Sequence, residues 1–462
     1  MTLQSGSASF NCFGMTMQRS QNVVFRNCNF DNTTSTFPSN GANFMAGAVI
    51  AGIEDNTFIN CTTNHTTSIS DQTEGFHCSG NFTGGTKHSR NLRLINHTSY
   101  NIQQLGNLQL PAPVVVSAVN NATGYQINFT KDVYFENCLA QDIICNGPAA
   151  ATTSGALAGV PPKCHGFNLG SGRGNATTGI VPENYTLVGC VASRVLSLNG
   201  AAAFGFITNG AAGNEAVLSA VFKDCIAEDC QSLIPTLTVN PVTGVPYGNV
   251  QNVGVGFLHI PDTSDNISFP ATYTDCQALK NQGVPNLATN LGAFYSGGFV
   301  CLGSSATILA TKQEYCNCLA MSNVYGFLFS NCTSNIVRSC RADVNVSDGT
   351  IVQPPLTGEG FTDIGPAGTP TVVGISTSLF EDNRAYNNGP NPRPSSVYFG
   401  PNTNYNISVA PGLTVPAPPG TLPFPAITPP ILQVQVSSPL TSYIAVNPPL
   451  YLANVHNIST IQ

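Results

Sequence analysis

One six-residue frame recurs ten times and constrains this chain more than any other feature. It reads aromatic or aliphatic, any residue, Asn/Asp/Gly, Cys, any residue, small. FRNCNF (25–30), FINCTT, FENCLA, LVGCVA, FKDCIA, YTDCQA, YCNCLA and VRSCRA (337–342) follow it. LINHTS (94–99) and FEDNRA (380–385) fit it with His97 and Asn383 in the Cys slot. The anchors are Cys28, Cys61, His97, Cys138, Cys190, Cys225, Cys276, Cys318, Cys340 and Asn383. Cys318 and Cys340 are only 22 residues apart. That is too short for a propeller blade of about 40–45 residues, and enough for one solenoid turn of three short strands. The longer repeats are the same turn with loops inserted.

Each slot of the frame has a physical role. Three residues before the anchor the column is apolar throughout, from Phe25 and Phe58 to Val337 and Phe380, so it points inward. The residue just before the anchor is Asn27, Asn60, Asn96, Asn137, Gly189, Asp224, Asp275, Asn317, Ser339 or Asp382. Asn, Asp and Gly tolerate the left-handed conformation, which predicts a sharp bend and a stacked amide ladder serving the interior. The Cys anchors then read as small apolar core residues. A second column, Gly14, Gly47, Gly75, Gly124, Gly166, Gly205, Gly256, Gly298, Gly326 and Gly360, precedes the anchors one for one. Phe follows most of these glycines, which predicts a second inward stack with Gly at a corner. About ten turns at ~4.8 Å each give a rod of about 48 Å.

Composition supports a solenoid. Charged residues are 8% of the 462, with a net charge of −7, against about 25% in an ordinary soluble domain. Asn numbers 48, and neutral Asn, Thr and Ser can stack on themselves at about 5 Å where Lys and Glu repel. Few cations in an acidic chain exclude a nucleic-acid binder. No run of about 18 apolar residues exists, so no membrane-spanning helix is expected. Residues 1–20 lack the basic start and apolar stretch of a signal peptide.

The repeat GFLFSNCTSNIVRSCRADVN (326–345) resembles those of right-handed parallel β-helices of the pectin-lyase-like superfamily. The Cys-rich form resembles uncharacterised surface proteins of large DNA viruses and chlamydia-like bacteria. The resemblance covers about residues 8–390. It implies an all-β, right-handed parallel β-helix of about ten coils with inserted loops, over 1–390. Residues 391–462 are Pro-dense, without anchors, and are expected to run extended as a cap or inter-subunit contact. Their apolar runs ILQVQV and SYIAV suit addition to a sheet edge.

Related folds host lyases, hydrolases, adhesins and tailspikes, so function is argued from the residues. The paired-Asp and Gly-His-Gly pattern of the hydrolases is absent. Asp224 and Asp275 occupy bend slots, and Asp262 and Asp265 read as a polar turn. Lys87, His88, Arg90 and Arg93 form the one basic cluster. His77, His165 and His259 come from separated turns and form no evident group, while His97 reads as a core residue. A loop disulfide is open to Cys145 and Cys164, and no C-x-x-C pair suggests zinc. Of fourteen Asn-x-Ser/Thr sequons, Asn32, Asn64, Asn121, Asn175 and Asn266 are the loop candidates for glycosylation, while Asn60 and Asn96 are expected to face inward.

The expectation is a non-catalytic extracellular protein of a cell or virion surface, a fibre, spike or appendage subunit. Self-association as a head-to-tail filament or trimer, and glycans met through the loops, are the expected contacts. No cofactor is expected. The alternative is a polysaccharide lyase or glycoside hydrolase, including a tailspike-like depolymerase.

Overall fold

Left-handed bends recur at five-residue steps, and they shape the chain. In the computed structural model Asn27, Asn60, Asn96, Asn137, Gly189, Asp224, Asp275, Asn317 and Ser339 have φ between +50° and +61°. Five residues later Asn32, His65, Asn101, Asp142, Arg194, Asp229, Lys280, Ser322 and Val344 bend the same way. Five residues earlier so do Asn22, Asp55, Asn91, Asp132, Lys312 and Ser334. Short strands lie between the bends, and each bend amide is bonded to the next turn, as in Asn96 N to Glu136 O at 2.8 Å.

The structure describes the strands and bends between residues 12 and 445. Outside the described residues lie 1–11, 36–43, 69–71, 80–88, 106–120, 146–162, 171–180, 199–201, 210–215, 234–252, 261–269, 284–295, 303–309, 346–359, 366–378, 387–396, 400–443 and 446–462, with residues 52, 129, 331 and 382.

The described residues contain no helix and stack as parallel strands into three long sheets. Sheet A has twelve strands, sheet B ten and sheet C thirteen. Each turn visits them in the order A, B, C: Gln72–Ser79, Ser89–Ile95 and Thr98–Gln104 are followed by Ala122–Ile127, Thr130–Glu136 and Leu139–Cys145. The fold is a parallel β-solenoid. In sheet A, Val397–Phe399 pairs with Phe361–Gly365, and Ile444–Ala445 with Val397–Phe399, two strands past the last of sheets B and C. The rest of 391–462 lies outside the described residues.

The register sets like on like, so the core consists of columns. Phe206, Phe257, Phe299, Phe327 and Phe361 stack with centroids 4.8 Å apart and planes within 8°. Phe222, Tyr273 and Tyr315 form a parallel column with the same 4.8 Å step. The two columns meet edge to face, as in Phe222–Phe257 at 5.9 Å and 81°. Each such aromatic pair contributes ~0.5–1.5 kcal/mol beyond the burial of its area.

Three expectations are corrected by these columns. The Asn27 ladder bonds from turn to turn, with Asn96 Nδ2 donating to Asn60 Oδ1 at 3.0 Å, but it stands on the outer surface. A left-handed residue between an inward position two before it and an inward Cys after it must turn its own side chain out. The interior amides belong to another column, Asn281, Asn323 and Asn345, six residues past the bend. Their Oδ1 atoms accept from backbone N–H groups of the preceding turn, as from Asn281 N to Asn323 Oδ1 at 2.9 Å. Their Nδ2 groups donate to the carbonyls of Ala227, Ala278 and Ala320.

The glycine column marks no left-handed corner, since among the described glycines only Gly189 has a positive φ. These glycines lie within the strands of sheet A, where sheets A and C come too close for a Cβ. At Gly166 a Cβ would stand 2.6 Å from Gly205 O and 2.8 Å from the Cβ of Ala192. At Gly205 it would stand 2.6 Å from Gly256 O and 2.9 Å from that of Ala227. The Ala column and the Gly column therefore require each other.

Cys145 and Cys164 are buried in facing strands and are not joined in a loop disulfide. Cys164 Sγ donates to Ile143 O at 3.0 Å.

Candidate functional site on the outer face of sheet A

Alternation breaks at the glycine in the sheet A strands Gln72–Ser79, Ala122–Ile127 and Lys163–Gly170. Gly75 and Phe76 both face the interior, because a Cβ on Gly75 would strike the inward side chains of Ser99 and Ile102. Residues 74 and 77 are thereby turned to the same outer face. The same holds one turn on for Thr123 and Gln126 about Gly124, and again for His165 and Asn168 about Gly166. Register places Glu74, Thr123 and His165 in one row across three strands, with His77, Gln126 and Asn168 in a second row.

Hydrogen bonds run along each row, and one, Glu74 to His77, joins the two. Glu74 Oε2 lies 2.5 Å from His77 Nδ1, and Thr123 Oγ1 lies 3.2 Å from His165 Nδ1. Asn168 Nδ2 donates to Gln126 Oε1 at 2.8 Å. A carboxylate–imidazole pair thus stands one strand, about 4.8 Å, from a hydroxyl–imidazole pair. These are the groups of general acid–base chemistry. All four are occluded: Glu74 is 3% exposed, His77 8%, Thr123 1% and His165 2%. Both imidazoles have further partners. Beyond His165 the face turns apolar. The imidazole of His165 stacks on Phe204 at 5.7 Å, and Ile207, Val255, Leu258, Val300 and Leu328 continue as a buried cluster separate from the main core.

The expectation that His77, His165 and His259 form no group is therefore corrected in part. His77 and His165 share this face with Thr123 between their strands. His259 points inward, with Nδ1 2.7 Å from Thr208 Oγ1, and burial lowers its pKa to about 4. His97, fully buried in the Cys column, is lowered to about 3 by the same cause. Its Nδ1 meets the Tyr125 hydroxyl at 3.1 Å, which in turn donates to His97 O at 2.8 Å. Glu74, Thr123, Gln126 and Asn168 were not singled out by sequence reasoning. Their signal is a fixed offset, one before and two after the Gly column.

The other predicted residues stand as follows. Cys61, Cys138, Cys190, Cys225, Cys276, Cys318 and Cys340 are buried, and Cys28, on the first turn, is half-buried. Each buried thiol finds backbone carbonyls, as Cys225 Sγ does at Leu187 O (3.5 Å) and Lys223 O (3.4 Å). Burial pushes the thiols of Cys190, Cys276 and Cys340 well up. Of the bend ladder, Asn27, Asn60, Asn96, Asn137, Asp224 and Asn317 are exposed and Asp275 half-exposed, while Asp382 lies outside the described residues. Asn60 and Asn96 do not face inward.

Among the sequons, Asn32 is exposed, Asn64 and Asn121 are half-buried, and Asn175 and Asn266 lie outside the described residues. Of the basic cluster, Arg90 and Arg93 lie on one strand, Ser89–Ile95. Arg90 pairs with Glu54 on the adjacent turn, and Arg93 lies over the Tyr134 ring at 5.1 Å. Lys87, His88, Asp262 and Asp265 lie outside the described residues.

Among the described residues no three His, Cys, Asp or Glu side chains are placed to hold a metal ion. The described residues contain no helix long and apolar enough to cross a membrane. No protein-family model, curated protein or solved structure matches the chain.

Proposed function

We propose that the chain is a non-catalytic structural protein of an extracellular surface, cell or virion, serving as a fibre, spike or appendage subunit. It self-associates and meets glycans through the segments inserted at the two ends of the sheet A strands. Kinship with the pectin-lyase-like β-helices is part of the same proposal. The observation that carries it is the uninterrupted ring stack from Tyr125 through Phe167 and Phe206 to Phe361. Three parallel sheets around such a stack suit a stiff strut. Electron microscopy of the native surface tests the reading, with rods joined in a regular assembly as the expected image. Release of reducing sugar from acidic glycans by the purified chain would overturn it.

One observation favours a second reading, a polysaccharide lyase or glycoside hydrolase. The Glu74–His77 and Thr123–His165 pairs supply an acid–base set on one face. Under that reading Glu74→Gln and His165→Ala each abolish glycan cleavage while leaving the melting temperature within a few degrees.

A further inference from the structure

The outer face of sheet C carries an apolar stripe beside a line of alternating charge. Leu139, Val191 and Ile226 occupy one outward position on three consecutive strands, each half-buried. Along one border run the bend residues Asp142, Arg194, Asp229 and Lys280 on four consecutive turns, with signs minus, plus, minus, plus, and with Arg194 also paired to Asp142 within the chain. A strip of that pattern is complementary to itself when reversed. A two-fold axis lying in the face, parallel to the strands and between the turns of Val191 and Ile226, places Asp142 opposite Lys280 of a second copy. The same axis places Arg194 opposite Asp229 of that copy. It also brings Val191 onto Ile226 and, two turns further out, Tyr100 onto Met321.

We propose that sheet C is the face of an isologous homodimer in which two rods pack antiparallel, centred between the turns of Val191 and Ile226. The inference rests on the reading of the chain as a self-associating structural protein, and names the surface used. It differs from end-to-end stacking, for which sheet A is two strands longer than sheets B and C at the C-terminal end. The six turns from the Thr98–Gln104 strand to the Leu319–Met321 strand cover about 29 Å along the rod at ~4.8 Å per turn.

The test is the solution mass of the full chain by sedimentation equilibrium, with the melting temperature of each variant recorded. Wild type is expected at twice its 48.3 kDa chain mass. Arg194→Asp and Asp229→Arg, which set like charges opposite each other, are each expected to weaken the dimer at least tenfold. The double variant, which exchanges the two charges, is expected to restore it, and the melting temperatures of the three variants separate loss of the interface from a folding defect. Val191→Glu is expected to give a monomer with an unchanged melting temperature. A wild type that remains monomeric at 100-fold excess over typical micromolar working concentrations overturns both this inference and self-association in the parent reading. An oligomer unmoved by all four variants overturns the sheet C assignment and leaves self-association standing.

Discussion

His97 occupies a slot that is Cys in eight of the other turns, and it is there as a neutral ring. Its pKa of about 3, with about 4 for His259, lies below the ordinary imidazole value of about 6.5. The unfolded chain therefore binds protons below about pH 6.5 that the folded chain does not bind until about pH 4 and about pH 3. Stability is full above pH 6.5 and falls as the pH drops through that window. Replacing His97 by Cys, the column residue, is expected to remove about 2 kcal/mol of the loss seen at pH 5, read by urea titration at pH 7 and pH 5. Val344 is a second residue out of keeping with its slot. It is β-branched at φ +51° and exposed, where Asn32 and Asn101 stand in earlier turns. Val344→Asn is expected to raise stability by about 1 kcal/mol at the left-handed position, visible as a higher melting temperature.

At the scale of strands and sheets, the closest constraint is the meeting of the Gly and Ala columns. Gly166→Ala puts a Cβ against the backbone oxygen of Gly205, and neither that strand nor Ala192 can yield without moving its neighbours. The expected cost is about 1–3 kcal/mol or more, measured by thermal unfolding. Ala192→Gly, which clears one of the two contacts, should recover only part of it, because the clash with the Gly205 carbonyl remains. The parallel stack of strands was legible in the sequence because the anchor positions are chemically strict: an inward Cys, an inward aromatic and a left-handed residue between them. The bends five residues away were not, because a left-handed surface position accepts His65, Arg194, Lys280 and Val344 as well as Asn. The ladder before the anchors was placed inside because its amides bond to one another. The phase of the bend, not the polarity of the side chain, decides that they face out. The row of Glu74, Thr123 and His165 escaped notice because long insertions separate its members. Only alignment on the glycines brings them into phase.

Over the whole molecule, each turn contacts chiefly the turn before and the turn after. Charges follow the same rule, since Arg90 pairs with Glu54 and Arg194 with Asp142 on neighbouring turns. Stability should then be a sum of turns and of interfaces between turns, lowest where one neighbour is missing. Hydrogen exchange is expected to be slowest for backbone amides of the central strands Leu139–Cys145 and Val191–Ser197, and at least tenfold faster in Asn29–Asp31 on the first turn. Uniform exchange along the rod would contradict nearest-neighbour coupling.

The shortest turn, from Cys318 to Cys340, carries a strand of each of the three long sheets. It is a complete unit of growth. Because each column accepts a copy of itself above and below, an extra copy of those 22 residues would lengthen the rod by one step without posing a new packing problem. A gene carrying such a repeat can change the reach of its product by unequal recombination, in increments of about 4.8 Å. The inserted segments lie outside the recurring frame of the sequence and can diverge independently of it.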